Sequence, residues 1–354
     1  MRVLLISHSP KQSGVATYTW NLYQELRSAG IRAETADISD PSALGFVSSD
    51  AHRIRRSIEI AIGLLRLPKG FDVYHATSQT ISISRALVKP TVVTIHDTAA
   101  FLSYKDAVAG FLFTLAFNFA KFAEMVICPS AFTRGQAVSR LGLNSNRISV
   151  IPLGVDHALF FQRDKEACRR RLGLPHDAKL ILSVSTTLKH KNLPVLLKAF
   201  QSVKKIQPTA RLVRVGAPNP TTLELSTLAE QLGIADHITY MKPNNEELAI
   251  LYNASDVFVH TSTYEGFGAP LVEAMASGLP VVASNATSIP EVIGDGGITI
   301  DPFDVDGFAS EALNILTDNK LAKQMAERGM IRSQQFSWEK CAKDTLKIYE
   351  AASK

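Results

Sequence analysis

Short apolar runs rich in β-branched residues alternate along this chain with longer segments of helical periodicity. In the first half the short runs are residues 3–6, 72–74, 91–95, 125–128 and 148–151. In the second half they are residues 180–184, 211–215, 237–240, 257–260, 280–283 and 298–300. Apolar strands separated by helices are typical of parallel βαβ units whose sheet is covered on both faces. The pattern therefore predicts an α/β fold with two doubly wound domains.

The boundary between the two domains is expected at residues 152–156, Pro-Leu-Gly-Val-Asp, which form a turn before a charged helix near Arg163. We therefore predict a first domain at residues 1–157 and a second at residues 158–335. In open parallel sheets, ligands bind beyond the carboxyl ends of the strands. Two such domains facing each other would form a cleft lined by those ends, so we expect the site residues there.

The composition, with 46% hydrophobic and 20% charged residues, is typical of a globular protein that folds without crosslinks. The three cysteines are far apart and odd in number, which favours a reducing cytoplasm. We expect no signal peptide, because the chain starts in an apolar strand. We expect no membrane span either, because residues 107–117 are shorter than the ~20 residues that a bilayer requires. The formal net charge of +5 comes entirely from residues 1–156, so that half is expected to contact any anionic partner.

The most informative segment, residues 260–278, runs from a strand end into an apolar helix. It holds two glutamates separated by seven residues, Glu265 and Glu273. Gly266 and Gly268 allow the backbone to approach a ligand closely, and the helix that follows offers free N–H groups and a dipole that favour a phosphate. The segment therefore predicts an anion-binding loop and helix start.

This segment resembles glycosyltransferase family 4, whose signature is E-x7-E followed by an apolar helix and a Gly-x-Pro-Val-Val strand, here residues 278–282. The resemblance implies the GT-B fold, in which two Rossmann-like domains face each other across a cleft. It places Glu265 beside the donor sugar and Glu273 on the ribose hydroxyls. A carboxylate suits both roles because it accepts strong hydrogen bonds from two hydroxyls at once. The alternative is that Glu265 caps a helix and Glu273 is a solvated surface residue.

Two motifs in the first half extend the resemblance. Ser13 and Gly14 follow the first strand where the family has a glycine-rich loop for the donor diphosphate, although Ser13 stands where many members have a second glycine. A dinucleotide site would need GxGxxG there, and that pattern is absent. His96 ends a strand, as the family histidine near the anomeric carbon does, with Asp97 as a possible partner. The alternatives are a glycine that only opens a helix and a histidine bonded to the backbone.

Residues 184–193 resemble the phosphate-binding loop of the family, in which Lys191 would neutralise the donor diphosphate. Thr186 and His190 stand where many relatives carry arginine, so Lys189 or His190 would have to supply the second cation. The alternative is that these loop cations are simply exposed to solvent. The resemblance also implies that a terminal helix, residues 336–354, packs back onto the first domain with Trp338 as a packing anchor.

Residues 52–69 have apolar positions on one helical face and four arginines around the rest. Such a helix could contact an anionic lipid surface. The alternative, an amphipathic helix packed on the first domain, is equally consistent with the pattern.

The function implied by the resemblance is retaining transfer of a hexosyl group, as in polysaccharide biosynthesis, from a nucleoside-diphosphate sugar to a glycan or lipid-linked acceptor. GDP-mannose is the favoured donor and UDP-sugars come next. We expect no metal, no separate cofactor and no nucleic acid partner, and a cytoplasmic location that could include the inner face of the membrane. The two rival hypotheses are a nucleotide-sugar epimerase and a sugar-nucleotide-binding protein without activity. The implied catalytic residues are His96, Glu265 and Lys191, and the implied donor-binding residues are Gly14, Lys191, Gly266, Phe267, Gly268, Leu271 and Glu273.

Overall fold

The computed structural model describes residues 1–8, 13–38, 63–98, 117–216 and 221–354. The chain forms two compact units, of which the first is Met1–Gly154 together with Trp338–Lys354 and the second is Val155–Ser337. The predicted boundaries lay at 157/158 and 335/336. The first and last residues of the second unit lie side by side. The Val155 N–H donates to the Phe336 carbonyl at 3.3 Å, and Val155 forms a parallel β-bridge with Ser337.

Each unit contains a six-stranded sheet in which every pair of neighbouring strands is parallel. The first sheet has the order β2-β1-β3-β4-β5-β6, with β1 (Arg2–Ser7), β2 (Arg32–Asp37), β3 (Val73–Ala76), β4 (Thr91–Thr94), β5 (Met125–Cys128) and β6 (Ile148–Val150). The second has the order β12-β11-β10-β7-β8-β9, with β7 (Lys179–Val184), β8 (Ala210–Val215), β9 (Ile238–Met241), β10 (Val257–His260), β11 (Val281–Ser284) and β12 (Ile298–Ile300). The prediction of two doubly wound, Rossmann-like parallel sheets is confirmed.

Helices connect the strands in both units. They are α1 (Gly14–Ser28), α2 (Ala131–Leu141), α3 (Lys165–Leu172), α4 (Leu193–Ile206), α5 (Thr221–Gln231), α6 (Asn245–Ala254), α7 (Ala269–Ala276), α8 (Ile289–Ile293), α9 (Val305–Thr317), α10 (Asn319–Ser333) and α11 (Trp338–Ala352). Ser, Asp or Asn side chains accept first-turn N–H groups at several of these helix starts, for example Ser130 at α2 and Asp164 at α3.

The strands are continuous apolar runs in the sequence because alternate side chains pack into hydrophobic clusters on opposite faces of the sheet. In β1, Leu4 and Ile6 join one buried cluster while Val3 and Leu5 join another on the opposite face of the sheet. α11 packs into the second of these clusters, where Trp338 is buried. The strand β2 was not predicted, because it is a largely exposed edge strand that buries only Ala33 within its span.

Other expectations meet the structure only in part. Three free cysteines, Cys128, Cys168 and Cys341, are all buried. Within the described ranges, no helix combines the length and apolar character needed to cross a membrane. The predicted basic helix at 52–69 falls mostly outside the described residues, as does the apolar stretch at 107–116.

Candidate functional site

Lys191 and Glu265 lie on two loops that follow neighbouring parallel strands of the second unit. One loop follows β7 and leads to Lys191, and the other follows β10 and leads to Glu265. The Thr263 N–H donates to the His190 carbonyl at 2.8 Å, and the Thr261 hydroxyl donates to the Lys191 carbonyl at 3.0 Å. These bonds fix the two loops to each other at the carboxyl edge of the sheet.

Glu265 is held by two donors on one oxygen. The Lys191 ammonium and the His260 Nε2–H each lie 2.8 Å from Oε1 of Glu265. The side chains are 14%, 2% and 12% exposed for Lys191, His260 and Glu265, so the ion pair is well shielded from water. Among the described residues, no donor reaches the second carboxylate oxygen, Oε2. That oxygen is therefore available to a hydroxyl of a ligand.

The electrostatic environment keeps Glu265 ionised. Burial by itself raises the pKa of the carboxyl group, but the charge of Lys191 and the hydrogen bond and charge of His260 outweigh that effect. The net result is a pKa held well below the usual value for glutamate. Glu265 is therefore a permanent anion at neutral pH, suited to accepting hydrogen bonds and balancing positive charge rather than to donating a proton.

The backbone around Glu265 is fixed from the loop after β11. Its N–H donates to the Thr287 hydroxyl at 2.9 Å, and its carbonyl accepts from the Ser288 hydroxyl at 3.0 Å. Thr287 adopts a left-handed backbone conformation, with φ of 55°. The N-cap of α7 is Gly268 without a side-chain cap, so the alternative role of Glu265 as a capping residue does not occur.

Glu273 lies in a different environment, on α7. Its Oε2 accepts a hydrogen bond of 2.8 Å from the Tyr252 hydroxyl, and Tyr252 is fully buried between Phe160 and Phe258. Burial raises the pKa of Glu273 to about 7, although the Tyr252 hydrogen bond works in the opposite direction. Glu273 is thus half-buried and hydrogen-bonded, which differs from the solvated surface residue of the alternative interpretation.

The start of α7 offers fewer free amides than a helix start usually does. Pro270 has no N–H, and the N–H of Leu271 donates to the Gly268 carbonyl at 2.9 Å. Gly268 has φ of 98°, and a Cβ there would lie 2.7 Å from Leu271 Cδ1, so glycine is required. Phe267 is buried with its ring 5.6 Å from that of Phe336. The Phe267 side chain is therefore a packing residue, and its carbonyl accepts from the Ser288 hydroxyl at 3.2 Å.

Gly14 and His96 belong to the first unit. Gly14 begins α1, and no described atom lies within 4 Å of a Cβ built on it. Ser13 is the N-cap of this helix, because its hydroxyl accepts the Ala16 N–H at 3.1 Å. Serine at that position is thus explained by helix capping, and no described side chain fills the space around Gly14.

His96 is neutral in this environment. Its Nε2–H donates to the Thr77 carbonyl at 2.8 Å, and its ring lies edge-on to that of Tyr18 at 4.9 Å. Burial lowers the pKa of the imidazole, with the Thr77 hydrogen bond and Asp97 opposing that effect. A neutral ring that donates through Nε2 has an acceptor at Nδ1, which suits a sugar hydroxyl.

Sequence reasoning missed two residues that the structure joins to the predicted site. His260 is the last residue of β10, and Tyr252 lies near the end of α6. A histidine at a strand end directly before the E-x7-E segment was a usable signal. Tyr252 carried no signal, since a tyrosine inside an apolar helix is usually a core residue.

Both halves of the chain match glycosyltransferase family models. Residues 12–159 match the model described as Glycosyltransferase Family 4, and residues 164–332 match Glycosyl transferases group 1. The chain is 31% identical over 239 residues, 64% of its length, to the O-antigen chain mannosyltransferase B of Escherichia coli. It is 35% identical over 216 residues, 58% of its length, to a D-inositol 3-phosphate glycosyltransferase of Stackebrandtia nassauensis. These matches span 61% and 48% of the two relatives.

Solved structures show the same fold. The sucrose-phosphate synthase of Thermosynechococcus elongatus superimposes with a TM-score of 0.80 at 21% identity, covering 99% of this chain and 98% of the other. Anabaena HepE in complex with UDP-glucose superimposes with a TM-score of 0.79 at 21% identity, covering 98% and 99%. Two family models in succession, two parallel-sheet units and the E-x7-E segment in its expected place agree with one another, and the chain belongs to glycosyltransferase family 4 with the GT-B fold.

Proposed function

We propose that this protein transfers a hexosyl group, with mannose favoured, from a nucleoside-diphosphate sugar to a glycan or lipid-linked acceptor, with retention of the anomeric configuration. The observation that carries the proposal is Glu265, a shielded carboxylate bonded through one oxygen to Lys191 and His260 while the other oxygen has no described partner. A permanent anion with one free oxygen is what a donor sugar needs for orientation.

The second unit would hold the donor. Lys191 neutralises the diphosphate, Glu273 accepts from the ribose hydroxyls, and Glu265 contacts the donor sugar. Residues 266–268 would complete the donor contacts, while the Leu271 helix start and the Gly14 loop of the first unit would stabilise the diphosphate.

The reaction breaks the bond between the anomeric carbon and the phosphate oxygen and forms a bond from that carbon to an acceptor oxygen. In a front-side mechanism the acceptor proton passes to the departing phosphate oxygen. Negative charge that develops on this phosphate is balanced by Lys191, and the oxocarbenium-like sugar is balanced by Glu265. His96 orients a sugar hydroxyl through Nδ1. Because a fixed cation neutralises the phosphate, we propose that transfer needs no divalent metal.

The choice of donor rests on the names of related proteins and on one sequence segment. The Escherichia coli relative is named a mannosyltransferase, and the Anabaena structure holds UDP-glucose, so the names of related proteins include both kinds of donor chemistry. The segment 191–193, Lys-Asn-Leu, resembles that of mannosyl and related transferases. GDP-mannose is therefore the first donor to test, and UDP-sugars are the second.

The test is a thermal-shift screen followed by a turnover assay. A nucleoside diphosphate at about 100 times its Kd stabilises the native protein by about 2.7 kcal/mol, a clear rise in Tm. The best donor is then incubated with and without a glycan or lipid-linked acceptor, in EDTA. Transfer that needs an acceptor and tolerates EDTA supports the proposal, and loss of transfer in EDTA contradicts metal independence.

Two outcomes would favour the rival functions. Conversion of the donor to its epimer without an acceptor would indicate a nucleotide-sugar epimerase. Tight binding of sugar nucleotides with no turnover across a broad acceptor panel would indicate a binding protein without activity.

A further inference from the structure

A second buried cation lies beside the loop that leads to Lys191. Arg214, on β8, is 4% exposed, and its guanidinium donates to the carbonyls of Ser183 at 3.0 Å and Ser185 at 2.9 Å. Longer contacts reach the hydroxyls of the same two serines, at 3.4 and 3.3 Å. Every one of these acceptors is neutral.

Arg214 differs in this respect from Arg169, the other buried arginine of the second unit. Arg169 is 3% exposed, and it donates to the Asp256 carboxylate at 2.7 Å. Within the described parts of the chain, no carboxylate lies within ion-pair distance of Arg214. A buried charge is costly unless an opposite charge compensates it. Arg214 is thus a buried cation that the described residues leave uncompensated.

The guanidinium stays charged at neutral pH. Burial lowers the pKa of Arg214 to about 10, and Tyr240, its register partner on β9, counteracts part of that effect. A pKa of about 10 leaves the group protonated in nearly every molecule near pH 7.

The position of Arg214 connects it to the candidate anion loop. Ser185 is the first residue after β7, and the segment 185–191, Ser-Thr-Thr-Leu-Lys-His-Lys, contains no arginine of its own. Gly216 packs so closely against Ser185 that a Cβ at 216 would collide with the Ser185 carbonyl oxygen. The end of β8 and the residue after it therefore hold the start of the loop through two contacts, the Arg214 guanidinium and the Gly216 backbone.

We propose that Arg214 is the second cation of the anion site that ends in Lys191, and that it strengthens binding of the donor diphosphate as a positioning residue. It acts by holding Ser185 at the start of the loop and by directing an uncompensated positive charge towards it. This inference rests on the proposed function, because it assumes that a diphosphate occupies the loop.

The test compares three variants. Arg214→Met removes the charge and keeps an apolar side chain of similar length. Arg214→Lys keeps the charge but loses the guanidinium group that donates to two carbonyls. Arg211→Met removes an arginine from the same strand. Arg211 is the matched control, since among the residues that the structure describes it donates only to the Asp236 carbonyl, in an exposed bond. Titration calorimetry gives Kd for UDP, GDP, inorganic pyrophosphate, uridine and guanosine, and circular dichroism with Tm confirms the fold of each variant.

The expected result is a selective loss of phosphate binding. Arg214→Met should weaken UDP or GDP binding and pyrophosphate binding by about tenfold while the matching nucleoside changes less than about twofold. Arg214→Lys should recover part of that loss if it folds, and Arg211→Met should leave every Kd unchanged.

Three results would overturn the inference. They are unchanged diphosphate binding in a folded Arg214→Met protein, an equal loss for diphosphate and nucleoside, and an equal loss in Arg211→Met. If the unchanged protein binds neither UDP nor GDP, the proposed function fails by itself, and the pyrophosphate titration still decides the role of Arg214. If it binds none of the three phosphate probes, both proposals are wrong.

Discussion

The buried polar groups that we compare are neutral in the first unit and charged in the second. In the first unit the His75 ring lies 2.7 Å from both the Tyr349 hydroxyl and the Thr94 hydroxyl, and Thr94 lies 3.0 Å from the Tyr18 hydroxyl. Burial lowers the pKa of His75 to about 3, so this chain of groups is neutral. In the second unit, Glu265 is ionised against Lys191.

The difference indicates which chemistry each unit suits. Fixed opposite charges match a diphosphate and a sugar that becomes positively charged during transfer, whereas the neutral groups of the first unit are buried and bonded to one another, which suits support of the fold. The comparison also holds within the second unit, where the pKa of Glu265 is lowered and that of Glu273 is raised to about 7. Similar side chains take separate roles when their surroundings shift their pKa values apart.

The largest expected loss of turnover comes from removing the Glu265 charge from the candidate site of the second unit. Glu265→Ala should lower turnover by about 10³-fold, because the donor sugar loses its permanent anion while Lys191 and His260 lose their partner. The measurement is the initial rate of sugar transfer at saturating donor. Glu327→Ala, at an exposed position on α10, is the control and should keep the rate. Near-normal transfer by a folded Glu265→Ala protein would contradict the assigned role.

A smaller loss of turnover is expected when His96, a neutral side chain of the first unit, is removed. His96→Ala should lower turnover by about 10²-fold, since only an acceptor hydrogen bond and its orientation are lost. His96→Asn, which retains an acceptor oxygen, should lose less. Nucleoside diphosphate affinity, measured by calorimetry, should remain within about twofold. A drop in that affinity comparable to the loss of rate would show that His96 serves the donor phosphate instead.

The sequence predicted the strands well and the contacts of the site poorly. Apolar strands of parallel sheets are buried on both faces, so their patterns are unambiguous, whereas β2 is an exposed edge strand and was missed. Glu265 and Glu273 were identified from local spacing, and their roles remain predictions. The lowered pKa of Glu265 depends on Lys191, 74 residues earlier, and the raised pKa of Glu273 depends on its burial in the folded unit, where its hydrogen-bond partner Tyr252 lies 21 residues earlier. No local pattern contains such contacts.

The contrast between the two glutamates can be sharpened by a stability measurement. Since the pKa of Glu273 rises from 4.5 to about 7 on folding, the folded protein binds this proton more tightly than the unfolded chain does. Stability is therefore lost as pH rises from about 4.5 to about 7, and the full cost remains above that range. Glu273→Gln keeps an acceptor for Tyr252 and removes the charge.

This variant should be more stable than the unchanged protein by about 3 kcal/mol above pH 7 and equal to it below pH 4.5. The measurement is Tm against pH for both proteins without ligand. A constant difference in Tm across the pH range would show that folding does not raise the pKa of Glu273. The same variant should bind nucleoside diphosphate more weakly, because the ribose hydroxyls lose a charged acceptor.

The smallest effect, a modest loss of stability, is expected from removing one hydroxyl from the neutral hydrogen-bonded groups around His75 in the first unit. Tyr349→Phe removes the hydroxyl 2.7 Å from His75 Nδ1 and leaves that buried nitrogen without its partner, so the protein should lose about 1 kcal/mol of stability. The measurement is the denaturation midpoint near pH 7.5, where His75 is neutral because its pKa is about 3. Transfer rate and donor affinity should stay unchanged, since the hydrogen bonds of His75 go to Tyr349 and Thr94, to which no catalytic or donor-binding role is assigned. An equal loss of transfer and of stability would instead make the neutral chain part of the acceptor machinery through Tyr18, whose ring adjoins both His75 and His96.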